Sequence, residues 1–142
     1  MLSYIMPRTI TIRPRGSKTL AQLEQRAKLT RVPKTALADR YVEEGLAMDT
    51  YPGIVFRDGP AGRRPAVLGG PDVWEVIQAF MAESRDTGAT SQNLGLRPGL
   101  IDAAVAYYAD NREAVDEWIE ANRVMMDEAA AAFDRQQAIR ST

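Results

Sequence analysis

Thr9, Thr11 and Arg13 stand two residues apart, with Ile10 and Ile12 between them. Successive side chains of a β-strand alternate between its faces. The spacing therefore predicts a short strand that sends Ile10 and Ile12 one way, and two hydroxyls and a guanidinium the other. Those three outward groups have the chemistry of base-edge recognition. A two-stranded ribbon fits the major groove, where Thr donates, accepts or touches a thymine methyl and Arg pairs with guanine through two bonds. The Thr-rich solvent face of an ordinary strand has the same alternation. Further along, Val32-Pro33-Lys34-Thr35 opens a helical pattern, with Pro33 expected at its first position. The free N–H groups and the dipole of a helix start attract anions. Lys34 and Thr35, together with Arg15 beyond the strand, are thus the expected phosphate contacts, which fix register on a duplex without reading sequence. An ordinary exposed helix start fits the same residues.

Other chemistry is narrowed by what the chain lacks. The sequence has no Cys and no His, which excludes disulfides, thiolate nucleophiles and Cys-ligated zinc, and removes the commonest general base and metal ligand. We expect no enzyme, no metal site and no cofactor. Gly69-Gly70-Pro71 ahead of a helix is far short of a phosphate-binding loop and reads as a turn. Asp116-Glu117 and Asp127-Glu128 read as a solvated helix face. A helix opening at Pro98 lies in acidic surroundings, which suit a DNA groove poorly.

Charge separates the chain into two parts. Residues 1–48 carry nine Lys/Arg against four Asp/Glu, a net of 9 − 4 = +5. The remaining residues carry nine Arg against fifteen acids, a net of 9 − 15 = −6. A basic head of 1–48 and an acidic body of 49–142 suggest two modules with different partners, the head facing a polyanion. Met1–Pro7 shows no charged leader followed by an apolar core, and no apolar run approaches membrane-spanning length, so a cytoplasmic protein with no membrane contact is expected.

The elements that must position these residues follow from periodicity. After the strand, Pro14-Arg15-Gly16-Ser17 makes an exit, with Ser17 as the expected N-cap of a first helix carrying Leu20, Leu23 and Ala27 to about Lys28. The second helix bears a broad stripe of Leu37, Ala38, Tyr41, Val42, Gly45 and Leu46. One strand and two helices in about forty residues are too little to enclose a core, and a lone strand leaves its edge unpaired. Dimerisation through that strand meets both needs, with Ile10, Ile12, Leu37 and Tyr41 as the expected dimer core. Tyr51-Pro52-Gly53 reads as a joint. A β-hairpin is expected from Ile54-Val55-Phe56 and Pro65-Ala66-Val67-Leu68 around a turn with Asp58-Gly59 and Gly62. Asp72 and Glu75 form a capping-box-like start to a helix that ends near Ser84. Asp86 to Leu96 reads as a loop with at most a short helix. Pro98 opens a helix ending near Asp110, and a last helix runs from about Asn111 to Gln137. The fold class expected is mainly α with short β.

Residues 8–46 resemble the ribbon-helix-helix family of bacterial repressors and antitoxins. The resemblance is carried by Thr9-Ile10-Thr11-Ile12-Arg13, the Leu20/Leu23 helix, Val32-Pro33-Lys34-Thr35 and the helix ending at Glu44-Gly45-Leu46. Pro33 stands where that family usually has a Ser or Thr cap, and Pro14-Arg15-Gly16 is an unusual strand exit. The family implies an intertwined homodimer whose antiparallel ribbon reads double-stranded operator DNA. Residues 51–122 resemble the small homeodomain-like domain of unknown function 433. Its carriers are Tyr51-Pro52-Gly53-Ile54-Val55-Phe56, Arg63-Arg64-Pro65-Ala66-Val67-Leu68-Gly69-Gly70 and the Ala103–Ala109 stretch with Tyr107-Tyr108. Together the resemblances imply a VapB-type antitoxin that represses its own operon and neutralises a PIN-like ribonuclease toxin.

The last helix is the candidate partner surface. Val115, Ile119, Asn122, Met126, Ala129 and Phe133 follow the four-three spacing of a coiled-coil seam, and packing of its first half on the preceding domain fits that spacing equally. If the partner is the implied ribonuclease, Val115, Ile119, Met126 and Phe133 are the expected toxin contacts, and Arg135 or Arg140 would reach its carboxylate site. The same residues also fit a stand-alone repressor with a ligand-sensing or protein-interaction C-terminal domain, or an interaction scaffold that leaves DNA alone.

Overall fold

The computed structural model describes residues 8–141, so the reading of Met1–Pro7 lies outside the described residues. Six helices and one two-stranded antiparallel sheet make up the described residues, in the order α1 (Ser17–Thr30), α2 (Lys34–Thr50), β1 (Ile54–Gly59), β2 (Gly62–Val67), α3 (Val73–Ala82), α4 (Thr87–Leu94), α5 (Pro98–Asp110) and α6 (Arg112–Arg140). The chain is mainly helical with short β, as its periodicities predict. It divides into two compact units, Met1–Glu43 and Glu44–Thr142. The division falls inside α2, which runs unbroken past the composition boundary at residue 48.

Several local signals act a residue or two away from where they were expected. Gly16, not Ser17, takes the N-cap position of α1 with φ −129° and ψ 150°, and Ser17 is the first helical residue. The helix runs on to Thr30 and closes at Arg31, which adopts the left-handed conformation at φ 56°. Its amide and that of Val32 both donate to Ala27, the 6→1 Val32 bond being 3.2 Å long, which satisfies carbonyls a helix end leaves open. Pro33 precedes α2, and its carbonyl accepts the Leu37 N–H at 2.9 Å. The Asp86–Leu96 segment contains a true helix, α4. Asp86 caps it by accepting from the Ala89 amide at 2.6 Å, and Gly95 ends it at φ 65°. The short helix allowed in this segment forms despite the weak hydrophobic periodicity of Thr87–Leu94, because its two caps define it.

The second unit has a core of its own. Ile54, Val67, Val73, Val76, Ile77, Ile101, Ala104 and Val115 are enclosed together, with Tyr51, Phe56, Trp74, Phe80 and Ile119 packed against them. The hairpin pairs Ile54 with Val67, Phe56 with Pro65, Arg57 with Arg64, and Gly59 with Gly62. Ile54, Ala66 and Val67 supply its enclosed face. Tyr107 meets Tyr51 and Phe56 in edge-to-face arrangements, with ring centroids 5.2 and 6.3 Å away and planes 77° and 70° apart, a geometry favoured by the ring quadrupoles. The Tyr51 hydroxyl donates to Asp110 at 2.5 Å. That bond holds the phenol above its ordinary pKa, because losing its proton would place a second anion beside the carboxylate.

Two buried carboxylates tie the sheet down. Arg57 and Arg64 sit opposite each other across the hairpin, a repulsive arrangement if left alone. Asp72, only 5% exposed, faces both. Arg57 Nη2 lies 3.1 Å from its carboxylate, and Arg64 Nε lies 2.5 Å away in an ion pair without hydrogen-bond geometry. Asp72 also accepts the Trp74 indole N–H at 3.2 Å. Its own amide donates to Glu75 at 2.9 Å within the expected capping box. The second, Glu44, 7% exposed, pairs with Arg63 through Nε and Nη2, the closest contact being 2.5 Å. That carboxylate raises the already high pKa of Arg63. It also explains why the end of α2 belongs to the second unit.

Candidate nucleic-acid interface

Residues 8–14 form neither helix nor strand in the single chain. The strand expected at Thr9–Ile12 has no partner here, and strand hydrogen bonds are made between strands, not within one. Thr9, Thr11 and Arg13 are all exposed, as are Ile10 at 78% and Ile12 at 62%. The arm thus leaves two large β-branched side chains in water.

The rest of the first unit does the same. Leu37 is fully enclosed, but Leu20, Leu29, Tyr41 and Val42 are exposed, with Tyr41 at 43%. A groove of about 570 Å³ runs between the arm and the two helices, lined by Ile12, Pro14, Leu20, Leu23, Ala38 and Tyr41. Of the expected dimer core, the structure brings Ile12 and Tyr41 to this groove, encloses Leu37, and leaves Ile10 outside it. Most of the surface lining this groove is apolar and open to solvent.

Of the expected phosphate contacts, Lys34 and Thr35 line this same groove, whereas Arg15 is exposed on the arm. The Lys34 ammonium pairs with Glu24 at 3.3 Å, with both side chains about half exposed. An ion pair this open to water is worth at most about 1 kcal/mol. Sequence reasoning missed Glu24 as the partner because ten residues separate the two and no helical spacing connects them. The Arg40 guanidinium lies over the Tyr41 ring at 5.8 Å.

The residues expected to meet a protein partner divide along α6. Val115 is 1% exposed and part of the second unit's core, with Ile119 packed against it. Met126 and Phe133 are 60% and 57% exposed, and Arg135 is exposed as well. The face that packs the first half of the helix therefore continues, uncovered, along the second half. Arg123 braces that half by pairing with Glu120 at 2.6 Å and Asp127 at 2.7 Å, and its hydrogen bond to Glu120 lowers the pKa of that carboxyl.

Among the described residues no group of three or more metal-ligating side chains is placed to hold an ion, and no helix is long and apolar enough to cross a membrane. No family model matches the chain, and no curated protein and no solved structure was found to be similar to it.

Proposed function

We propose that the chain is a dimeric DNA-binding antitoxin. Its first unit reads operator DNA through paired arms, and the second half of α6 receives a ribonuclease toxin of the PIN-like class. The observation that carries this reading is the first unit's surplus of exposed apolar surface. Ile10, Ile12, Leu20 and Tyr41 remain in water beside an unpaired arm, in a head of net charge +5. A second copy supplies both missing things, a strand for the arm and cover for the groove. Pairing the arms sends Thr9, Thr11 and Arg13 to one face. Two basic heads then meet the same duplex.

Fluorescence anisotropy on the DNA upstream of the chain's own gene tests the DNA half. Each neutralised phosphate contributes about −0.9 to the slope of log K against log salt. Phosphate contacts by Arg15 and Lys34 in both copies, four in all, predict a slope of about −3.6. Absence of binding at low salt by a confirmed dimer refutes the reading.

The toxin half is tested by co-expression with the product of the adjacent gene. Met126→Asp with Phe133→Asp is expected to abolish co-purification without altering the melting of either unit, since both side chains are more than half exposed. Substitutions at exposed positions usually change stability by under about 0.5 kcal/mol. A neighbour that co-purifies equally well with this variant places its contacts elsewhere.

A further inference from the structure

The second unit contains a groove that the DNA and toxin readings leave unused. It has a volume of about 470 Å³ and lies between the hairpin turn at Pro60-Ala61, the first turn of α3 and the middle of α6. Both tryptophans of the sequence, Trp74 and Trp118, line it, with Met125 beside them. Small-molecule sites occupy about 300–1,000 Å³ and combine apolar walls with a few convergent polar groups. The walls here fit that description, and the polar groups can be sorted by whether they are already engaged.

Asp72 is fully engaged, since Arg57 and Arg64 take its charge and the Trp74 indole N–H completes its shell. Three groups in the lining are left. The Trp118 indole N–H and the Asn122 amide have no hydrogen-bond partner among the described residues, and Glu75 has no ion-pair partner there. Glu75 accepts one bond, from the Asp72 amide through Oε2, and is exposed to solvent. The groove therefore offers two electron-rich indoles and a thioether, and its lining carries two carboxylates, Asp72 and Glu75, against the one guanidinium of Arg64, with Glu75 in no ion pair. That set suits an organic cation. Indole faces attract cations through the ring quadrupole, more strongly than the other aromatic rings do, and the Glu75 carboxylate adds attraction of the same sign.

We infer that this groove binds a small organic ammonium ion, one with an aromatic or quaternary-ammonium head, held by Trp74, Trp118 and Glu75. The inference does not depend on DNA binding by the first unit and concerns a site in the second unit alone.

The test uses the full-length chain labelled with ¹⁵N, in which two tryptophans give two indole N–H resonances. Benzyltrimethylammonium is the probe, with benzyl alcohol and phenylacetate as neutral and anionic counterparts. The expected result is a saturable shift of both indole resonances by the cation, with a dissociation constant at or below about 1 mM, and binding at least about fivefold weaker for the other two probes. Glu75→Gln removes the charge while keeping the capping box, because Gln serves at that position too. It is expected to weaken the cation about fivefold and leave benzyl alcohol unchanged. Equal affinity for cation and alcohol in the unaltered chain overturns the inference. So does an unsaturable titration, or a Glu75→Gln chain that holds the cation as tightly as before.

Discussion

Replacing Thr9, Thr11 and Arg13 together by alanine is expected to reduce operator affinity to that for unrelated DNA, a loss of about a thousandfold or more, while the dimer persists. The size follows from counting groups. A good bidentate base pair contact is worth about 1–3 kcal/mol of discrimination, and a dimer presents each of the three side chains twice. Specific complexes as a class stand about 4–10 kcal/mol above non-specific ones, so removing every base-facing side chain leaves only phosphate attraction. The fold should not notice. All three side chains are exposed, and the apolar surface proposed to pair the copies comes from the other positions of the arm and from the groove at Ile12 and Tyr41. Anisotropy with operator and scrambled duplexes, alongside light scattering for the dimer, separates the outcomes. A variant that keeps its preference for the operator shows that another surface reads the bases. A variant that becomes monomeric shows that the arm's outward face takes part in dimerisation.

How much of this was legible in the sequence depended on the range of the interaction. The hairpin, the Asp72–Glu75 capping box and the helices α3, α5 and α6 were readable because each is announced by turn residues, caps or periodicity within a few positions. The arm's alternation was equally visible. Yet a strand is a property of two segments, and with one copy present residues 8–14 are not strand. What could not be read were pairs joined by the fold. Glu44 and Arg63 are nineteen positions apart, and Arg57 and Asp72 fifteen. Nothing local distinguishes those charges from their solvated neighbours. The joint expected at Tyr51-Pro52-Gly53 shows the consequence. Glu44 reaches Arg63 from within α2, so the division between units lies earlier, in the middle of that helix. The spacing along α6 fits a partner seam and packing of its first half equally, and burial divides it, with Val115 in the core and Met126 and Phe133 outside. The indole groove is non-local in the same way. Trp74 lies on α3 and Trp118 on α6, forty-four positions apart, and only the fold puts them in one groove.

Asp72→Ala is expected to destabilise the second unit by about 3–4 kcal/mol, the largest stability effect of any single polar substitution in it. Four losses add up. Removing one member of a buried ion pair costs about 3–5 kcal/mol because its partner is left uncompensated. Arg57 reduces that figure, since its side chain is 42% exposed and water can take it back, whereas Arg64 is only 20% exposed. With the carboxylate gone, the two guanidiniums also repel each other directly across the hairpin. The N-cap of α3 goes as well, worth about 0.5–2 kcal/mol, and the Trp74 indole N–H loses its acceptor. Asp72→Asn separates these contributions. Asn caps a helix about as well as Asp and can still accept from the indole, so it keeps the cap and loses only the charge. Asn should therefore be intermediate between the unaltered chain and Ala. Urea unfolding followed by tryptophan fluorescence reads the second unit alone, because both emitters lie in it. The midpoint should fall with the slope unchanged, the mark of altered stability and not of altered compactness. A loss below about 1 kcal/mol for Asp72→Ala means that water, not Asp72, balances Arg57 and Arg64. Equal losses for Asn and Ala mean that the charge matters and the cap does not.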